Sequence, residues 1–250
     1  MKISIITATF NSEKFILSNL ESINLQKYSN YEHIIIDNKS TDKTIEIINK
    51  KGSNIKLISE KDDGIYDAFN KGIKASEGEI ISILNSDDFY TDETVLEKIN
   101  QVFEDNDVDI VYGDLNYVKR KNPKNIIRYW KSNEYKARLF SKGWSPPHPS
   151  FFVKKSAYNK FGLYKKEYGN SADFELMFRF LDYFNLKSYY LSNTLVTMRT
   201  GGKSNNNIID IIKQNMIILD ILGIKKNIYL ILKFLFFKFF NRIKQFIFLK

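Results

Sequence analysis

The stretch SEKDDGIYDAFNKGIKASEGEIISILNSDD, residues 59–88, decides the fold. Near its end, Ile80 to Leu84 is an apolar run of strand length, broken by Ser82 alone and closed by Asn85-Ser86-Asp87, which is good turn chemistry. Upstream, Ile65 to Ala75 reads as a helix, and Ser76-Glu77-Gly78-Glu79 turns the chain into the strand. Helix followed by fully apolar strand is the repeating unit of a mostly parallel sheet covered on both faces. The adjacent carboxylates Asp87 and Asp88 exceed what a turn requires. A solvated loop, a helix cap and a cation site are the three readings of them.

The same unit recurs on either side. Ile3 to Ala8 is a strand, followed by Phe15, Leu17, Leu20, Ile23 and Leu25 at helical spacing, with Asn11 or Ser12 as the expected N-cap. His33 to Ile36 is a second strand, and Ser40-Thr41-Asp42 opens a helix through Ile45, Ile47 and Ile48. Ile55 to Ile58 is a third strand, Thr94 to Phe103 a helix and Asp109 to Tyr112 a further strand. Open α/β sheets bind ligands beyond the carboxyl ends of their strands. Asp37, the pair Asp62 and Asp63, and the pair Asp87 and Asp88 each follow a strand, which predicts a polar cleft at one sheet edge. Residues 113–150 hold the four prolines and both tryptophans and read as hairpins and loops. A helix is expected from about Asp173 to Tyr183, then short strands at Lys187–Leu191 and Leu195–Met198, and a loop at Gly201-Gly202-Lys203-Ser204.

With 250 residues, 43% apolar and 27% charged, the chain supports one sizeable core and an appendage, and extensive disorder is excluded. It has no cysteine and two histidines, which excludes disulfides, thiolate metal sites and a His-rich zinc site. Any metal would be held by oxygen, which favours magnesium or manganese. The net charge is +9, yet residues 203–250 carry nine Lys or Arg against two Asp. A nucleic-acid footprint would place basic charge across the folded body, so no nucleic-acid partner is expected. The first apolar run is too short for a signal h-region, which predicts a cytoplasmic protein. There is no Walker loop and no G-x-G-x-x-G. Asp37 could accept a hydrogen bond from a base or a ribose hydroxyl, while Ser40 and Asp42 suit a helix start.

SIITATFNSEKFILSNLESI (4–23), YEHIIIDNKSTDKT (31–44), the opening stretch and ADFELMFRF (172–180) together resemble the inverting GT-A glycosyltransferases. They resemble most the bacterial "family 2" members that build lipopolysaccharide O-antigens, capsules and exopolysaccharides. The resemblance spans about residues 1–205 and implies an α/β GT-A fold, with a mostly parallel central sheet and flanking helices. It implies that Thr9 and Asn11 flank the nucleotide and that Asp37 contacts the base, usually uracil. Asp62, Gly64, Asp67, Asn70 and Lys71 would border the nucleotide and its phosphates. Asn85-Ser86-Asp87-Asp88 stands where the family carries D-x-D-D, with Asn in the first position. Asp87 would then ligate a divalent cation, Mn2+ or Mg2+, and Asp88 would ligate through water or orient the loop. Such a cation neutralises charge developing on a departing diphosphate. Asp173 matches the catalytic base, and a helix N-terminus would also stabilise its carboxylate. Trp144, His148 and Arg199 are acceptor or phosphate candidates. The absence of Q-x-x-R-W departs from the processive synthases.

The resulting expectation is a nucleotide-binding half (1–112), an acceptor-side half (113–205) and a basic helical tail (206–250). On a helix, Leu235, Phe236, Phe239, Phe240, Ile243, Phe246 and Ile247 share one face, opposite Lys233, Lys238, Asn241, Arg242, Lys244 and Gln245. That pattern predicts a helix lying in an anionic membrane surface, with packing on the core or on a second subunit as the alternative. The expected activity is transfer of a sugar, UDP-linked, to a saccharide on a polyprenyl-diphosphate carrier at the inner face of the membrane. A nucleotidyltransferase and a non-catalytic sugar- or membrane-binding scaffold of the same fold are the alternatives.

Overall fold

The structure is a computed structural model and describes residues 1–52, 54–201 and 208–247. Gly202, Lys203 and Ser204 of the late loop, and the expected boundary at 205, lie outside the described residues. Among the described residues, nine strands form one sheet in the order β3-β2-β1-β4-β8-β6-β9-β5, with β7 paired to β6. The strands β1 (Ile3–Thr9), β2 (Tyr31–Asp37), β3 (Ile55–Ser59) and β4 (Ile80–Ile83) are parallel neighbours, as the continuous apolar runs predict. The chain builds outward from β1 to β2 and β3, then returns to place β4 on the other side of β1. That reversal is the switch point where such sheets leave a crevice. Register sets Thr9 against Asp37 and Asp37 against Ser59, so three strand ends form one edge.

The second half continues the same sheet. After β5 (Phe89–Tyr90), β6 (Ile110–Lys119) and β7 (Asn122–Trp130) form a long hairpin that turns at Arg120-Lys121, within the region expected to hold hairpins and loops. The strand β8 (Phe151–Lys154) runs antiparallel between β4 and β6. The two short strands expected near 187–198 are one strand, β9 (Ser188–Arg199), whose pairing with β6 shifts register around Asp114. The shift lets polar Ser192, Asn193 and Thr194 sit inside a continuous strand, which alternation alone does not show.

The helices are α1 (Ile16–Asn24), α2 (Thr44–Lys51), α3 (Ile65–Ala75), α4 (Val95–Asp105), α5 (Lys155–Phe161), α6 (Ala172–Phe178), α7 (Ile208–Ile221) and α8 (Ile228–Ile247). Their apolar faces cover the sheet in clusters built around Ile6, Ile34 and Phe69 on one side and Ile3, Ile80 and Ile99 on the other. The expected N-cap of α1 is corrected. The helix begins at Ile16, and the carbonyl of Ser12 accepts from the N–H groups of Phe15 and Ile16, while the Ser12 and Asn11 side chains turn to neighbouring loops. At α2, Asp42 accepts from the N–H of Thr44, at 3.0 Å, and so holds the helix start.

The tail departs from the simple amphipathic picture. Phe234 is buried with Ile218, Leu219 and Ile224, joining α7 to α8. The side of α8 that meets the body is largely polar: Lys238 donates to Asn215 at 2.6 Å, Asn241 to the carbonyl of Lys142 and Arg128 to Gln245. Leu232, Phe236, Phe239, Phe240, Ile243 and Phe246 remain exposed. The helix therefore packs on the core and also presents its apolar side outward.

Candidate active site

The crevice is assembled by side chains that tie each post-strand loop to the next. After β1, Asn11 takes a left-handed φ of 50°, and its carbonyl Oδ1 accepts from the N–H of Thr41 at 2.9 Å. Its own N–H donates to Ser40 Oγ. After β2, Asn38 Oδ1 accepts from the N–H of Asp62. After β4, Asn19 of α1 donates from Nδ2 to the carbonyls of Asn85 and Asp88. The hydroxyls of Ser12 and Ser86 meet at 2.9 Å. Four loops that are distant in sequence therefore share one hydrogen-bonded rim.

The sequence-predicted residues occupy different depths. Asp37 is fully buried and accepts from the Ser40 hydroxyl and N–H and from Ser59 Oγ at 2.7 Å, so it also shapes the turn that carries the crevice wall. Thr9 is buried beside it, and its Oγ1 makes no hydrogen bond. Gly64 has φ +107°, a region glycine tolerates, and space remains open where a side chain would stand. The backbone at the start of α3 is thus accessible, and Asp62 accepts from the Gly64 N–H at 2.9 Å. Asp67 is held by Lys166 and by Lys71, which also pairs with Glu60, making an exposed charge cluster. Both ends of the Asn70 amide are engaged with the backbone of Tyr164, so Asn70 anchors the segment that precedes α6.

Asp87 and Asp88 diverge. Asp87 is partly exposed, and its Oδ2 pairs with Arg120 of the hairpin turn at 3.0 Å. Asp88 is buried and accepts from Asn85 Nδ2 and from the N–H of Arg199. Burial, with the Asp87 charge beside it, pushes the Asp88 carboxyl well above its ordinary value. The Arg199 guanidinium donates to the carbonyl of Asp87 at 2.6 Å and lies over Phe89. Arg199 therefore braces the loop and does not stand free in the cleft.

Whether the loop suits a divalent cation depends on its oxygens. Among the described residues, no group of three or more His, Cys, Asp or Glu is close enough to hold a metal. Magnesium and manganese sites at a nucleotide need only one or two carboxylates, because phosphate and water complete the shell. Asp87 supplies an accessible carboxylate, and the buried Asn85 Oδ1 is without a hydrogen-bond partner. The donor set fits an oxygen-ligated cation shared with a phosphate.

Asp173 stands in the first turn of α6, with Ser171 before the helix. Burial, together with the Asp173 charge, pushes the Tyr66 hydroxyl well above its ordinary value. Burial lowers the His148 imidazole, partly offset by Asp173, and His148 Nε2 shares a 2.7 Å hydrogen bond with the Tyr164 hydroxyl. The charge of the base candidate is thus felt by Tyr66, His148 and Tyr164, the last anchored by Asn70. Burial raises the Tyr117 hydroxyl on β6, with the Arg128 guanidinium acting in the opposite direction. Trp144 is buried edge-on against Tyr112 and Phe140. Sequence reading missed Arg120. The basic run Lys119-Arg120-Lys121 was the available signal, but its partner appears only when the hairpin folds over Phe15, with the guanidinium 4.1 Å from the ring centre.

The family profile described as Glycosyl transferase family 2 matches residues 4–167. A PGL/p-HBAD biosynthesis glycosyltransferase of Mycobacterium bovis is 26% identical over 212 residues, covering 83% of this chain and 80% of the relative. Glycosyltransferase GlyG of Streptococcus pneumoniae is 32% identical over 116 residues, 45% of this chain and 38% of GlyG. S. aureus TarS 1-349, solved with UDP-GlcNAc, superposes with a TM-score of 0.68 at 18% identity, over 96% of this chain and 73% of that one. The mannosyltransferase PcManGT of Pyrobaculum calidifontis, solved with GDP-Man and Mn2+, gives 0.61 at 16% identity, over 88% and 63%. With the switch-point crevice, its tied loops and the family match in agreement, the chain belongs to glycosyl transferase family 2 and is a glycosyltransferase of GT-A fold.

Proposed function

We propose that this glycosyltransferase moves one sugar from a nucleotide-diphosphate donor, UDP-linked, to a saccharide on a polyprenyl-diphosphate carrier, with inversion. The product would feed a cell-surface polysaccharide such as a lipopolysaccharide or capsule. The observation that supports the reading is the rim of tied loops at the carboxyl ends of the parallel strands, where the partly exposed Asp87 pairs with Arg120. In the proposed step the acceptor hydroxyl oxygen forms the new bond to the anomeric carbon as the bond to the diphosphate oxygen breaks. Asp173 takes the hydroxyl proton, and the nucleoside diphosphate departs. Thr9, Asn11, Asp37, Asp62 and Gly64 line or shape the nucleotide side. Asp67 and Lys71 lie at its charged rim, and Asn70 positions the Tyr164 segment. Asp87 and the Asn85 side-chain Oδ1 would hold a divalent cation, while Asp88 and Arg199 keep that loop in place. When bound, the cation supplies neutralising charge to the diphosphate.

A membrane-borne acceptor is supported by the tail. Among the described residues no helix is long and apolar enough to cross a membrane, yet α7 and α8 expose Ile209, Ile212, Phe236 and Phe239 beside basic residues. Such a surface suits the headgroup region of an anionic bilayer. The decisive experiment compares wild type with Asp173→Asn for transfer and for donor binding. Transfer should fall by about 100- to 10,000-fold with donor binding retained. If both proteins release nucleoside diphosphate equally slowly with every acceptor, the reading fails.

A further inference from the structure

We propose that the cavity between β7, the loop at Gly143–Ser145 and α8 is a subsite for the phosphorylated sugar of the acceptor, an inference that rests on the transferase reading above. The cavity holds about 200 Å³. Against a liquid share of about 30 Å³ per water, that is room for one sugar unit. Trp130 and Trp144 contribute aromatic walls, which suit the C–H face of a pyranose. Two residues of the lining each carry a buried polar atom with no hydrogen-bond partner: Trp144 Nε1–H and Ser132 Oγ, in residues only 8% and 5% exposed. A buried polar group left unpaired costs stability, and two on one cavity indicate a ligand that supplies partners.

The walls are fixed before any ligand arrives. Asp114, itself buried, accepts from the N–H of Ser132 at 2.7 Å and from the Tyr129 hydroxyl, so β7 cannot drift from the sheet. Trp144 is wedged edge-on against Phe140. Charge selects the class of ligand. Lys131 and Lys244 border the cavity, and among the described lining residues none is acidic. Both ammonium groups are exposed, and a sugar bearing phosphate would meet them with an opposite charge that a neutral sugar lacks.

The chain has two tryptophans and both line this cavity, so intrinsic fluorescence reports on it directly. With excess UDP present to fill the donor site, the full-length protein is titrated with glucose, inorganic phosphate, N-acetylglucosamine 1-phosphate and the same sugar phosphate linked to farnesyl phosphate. The sugar phosphates should give a saturable change that glucose and inorganic phosphate do not. Lys244 is exposed, so Lys244→Ala should fold normally and weaken that response by about tenfold, as for loss of a charged hydrogen bond. Ser132→Ala should weaken it less. A tighter response to the farnesylated probe assigns the site to a lipid-borne acceptor, and an equal response assigns it to a soluble phosphosugar. The proposal is overturned if no probe saturates, if inorganic phosphate acts as strongly as the sugar phosphate, or if Lys244→Ala responds as wild type does. Donor hydrolysis by the wild type, measured in parallel, tests the transferase reading separately from the cavity.

Discussion

Asp87 and Asp88 are neighbours in sequence with opposite environments. One reaches the crevice and pairs with a guanidinium, while the other is buried and ties the loop to β9. Asp87→Ala should lower turnover by about 100-fold or more, the scale of a lost electrostatic contact to developing charge. Asn85→Ala should cost roughly tenfold, because a neutral oxygen contributes less than a carboxylate. Turnover measured over a series of Mn2+ concentrations checks both, and an equal loss in the two variants would remove the distinction. Arg120→Ala leaves Asp87 unpaired in the free protein, and half-saturation by Mn2+ should fall. If it rises, Arg120 serves the cation loop in some other way. The two carboxylates were legible as turn residues in excess of need. Arg120 was not, because a contact across 33 positions is created by strand order rather than by local pattern.

At the scale of elements, periodicity identified α8 and divided it correctly into apolar and polar sides. It did not show which side meets the body. Apolar burial would ordinarily decide that, but among the described side chains of α8 Phe234 alone is deeply buried, and hydrogen bonds from Lys238 and Asn241 complete the docking. Phe236 and Phe239 are 58% and 62% exposed, so replacing both with serine should leave the thermal midpoint within the small range typical of surface substitutions. The same variant should lose most of its binding to vesicles containing anionic phospholipid. Cosedimentation is the measurement, and unchanged binding would remove the membrane reading of the tail. The strands β1 to β4 and the helices between them were readable because each is a local pattern. The merging of two short segments into β9 was not, since the register shift that permits it depends on β6.

Across the whole molecule, one sheet joins the crevice to a core that holds His33 neutral. Burial lowers this imidazole to about 3, and its Nε2 lies 2.9 Å from the Thr7 hydroxyl. In the unfolded chain the group titrates near 6.5. Between those values the unfolded state binds the extra proton, so stability falls as the solution is acidified below about 6.5. At pH 5 the loss should be about 2 kcal/mol, visible as a lower urea midpoint than at pH 7.5. His33→Gln should remove that part of the pH dependence, whatever its own stability. The overall architecture was evident from alternating strands and helices. The depth of the tied loops was not, because each tie joins residues that only the sheet brings together.

Gly143 turns backward at φ +65° directly under α8, where an added methyl carbon would sit 2.6 Å from the Cα of Lys238. That seam tolerates no side chain at all. A single alanine there would act as a wedge, levering the helix off the body while every group in the crevice kept its place. Tail position and crevice chemistry could then be varied independently in one molecule, by one carbon atom.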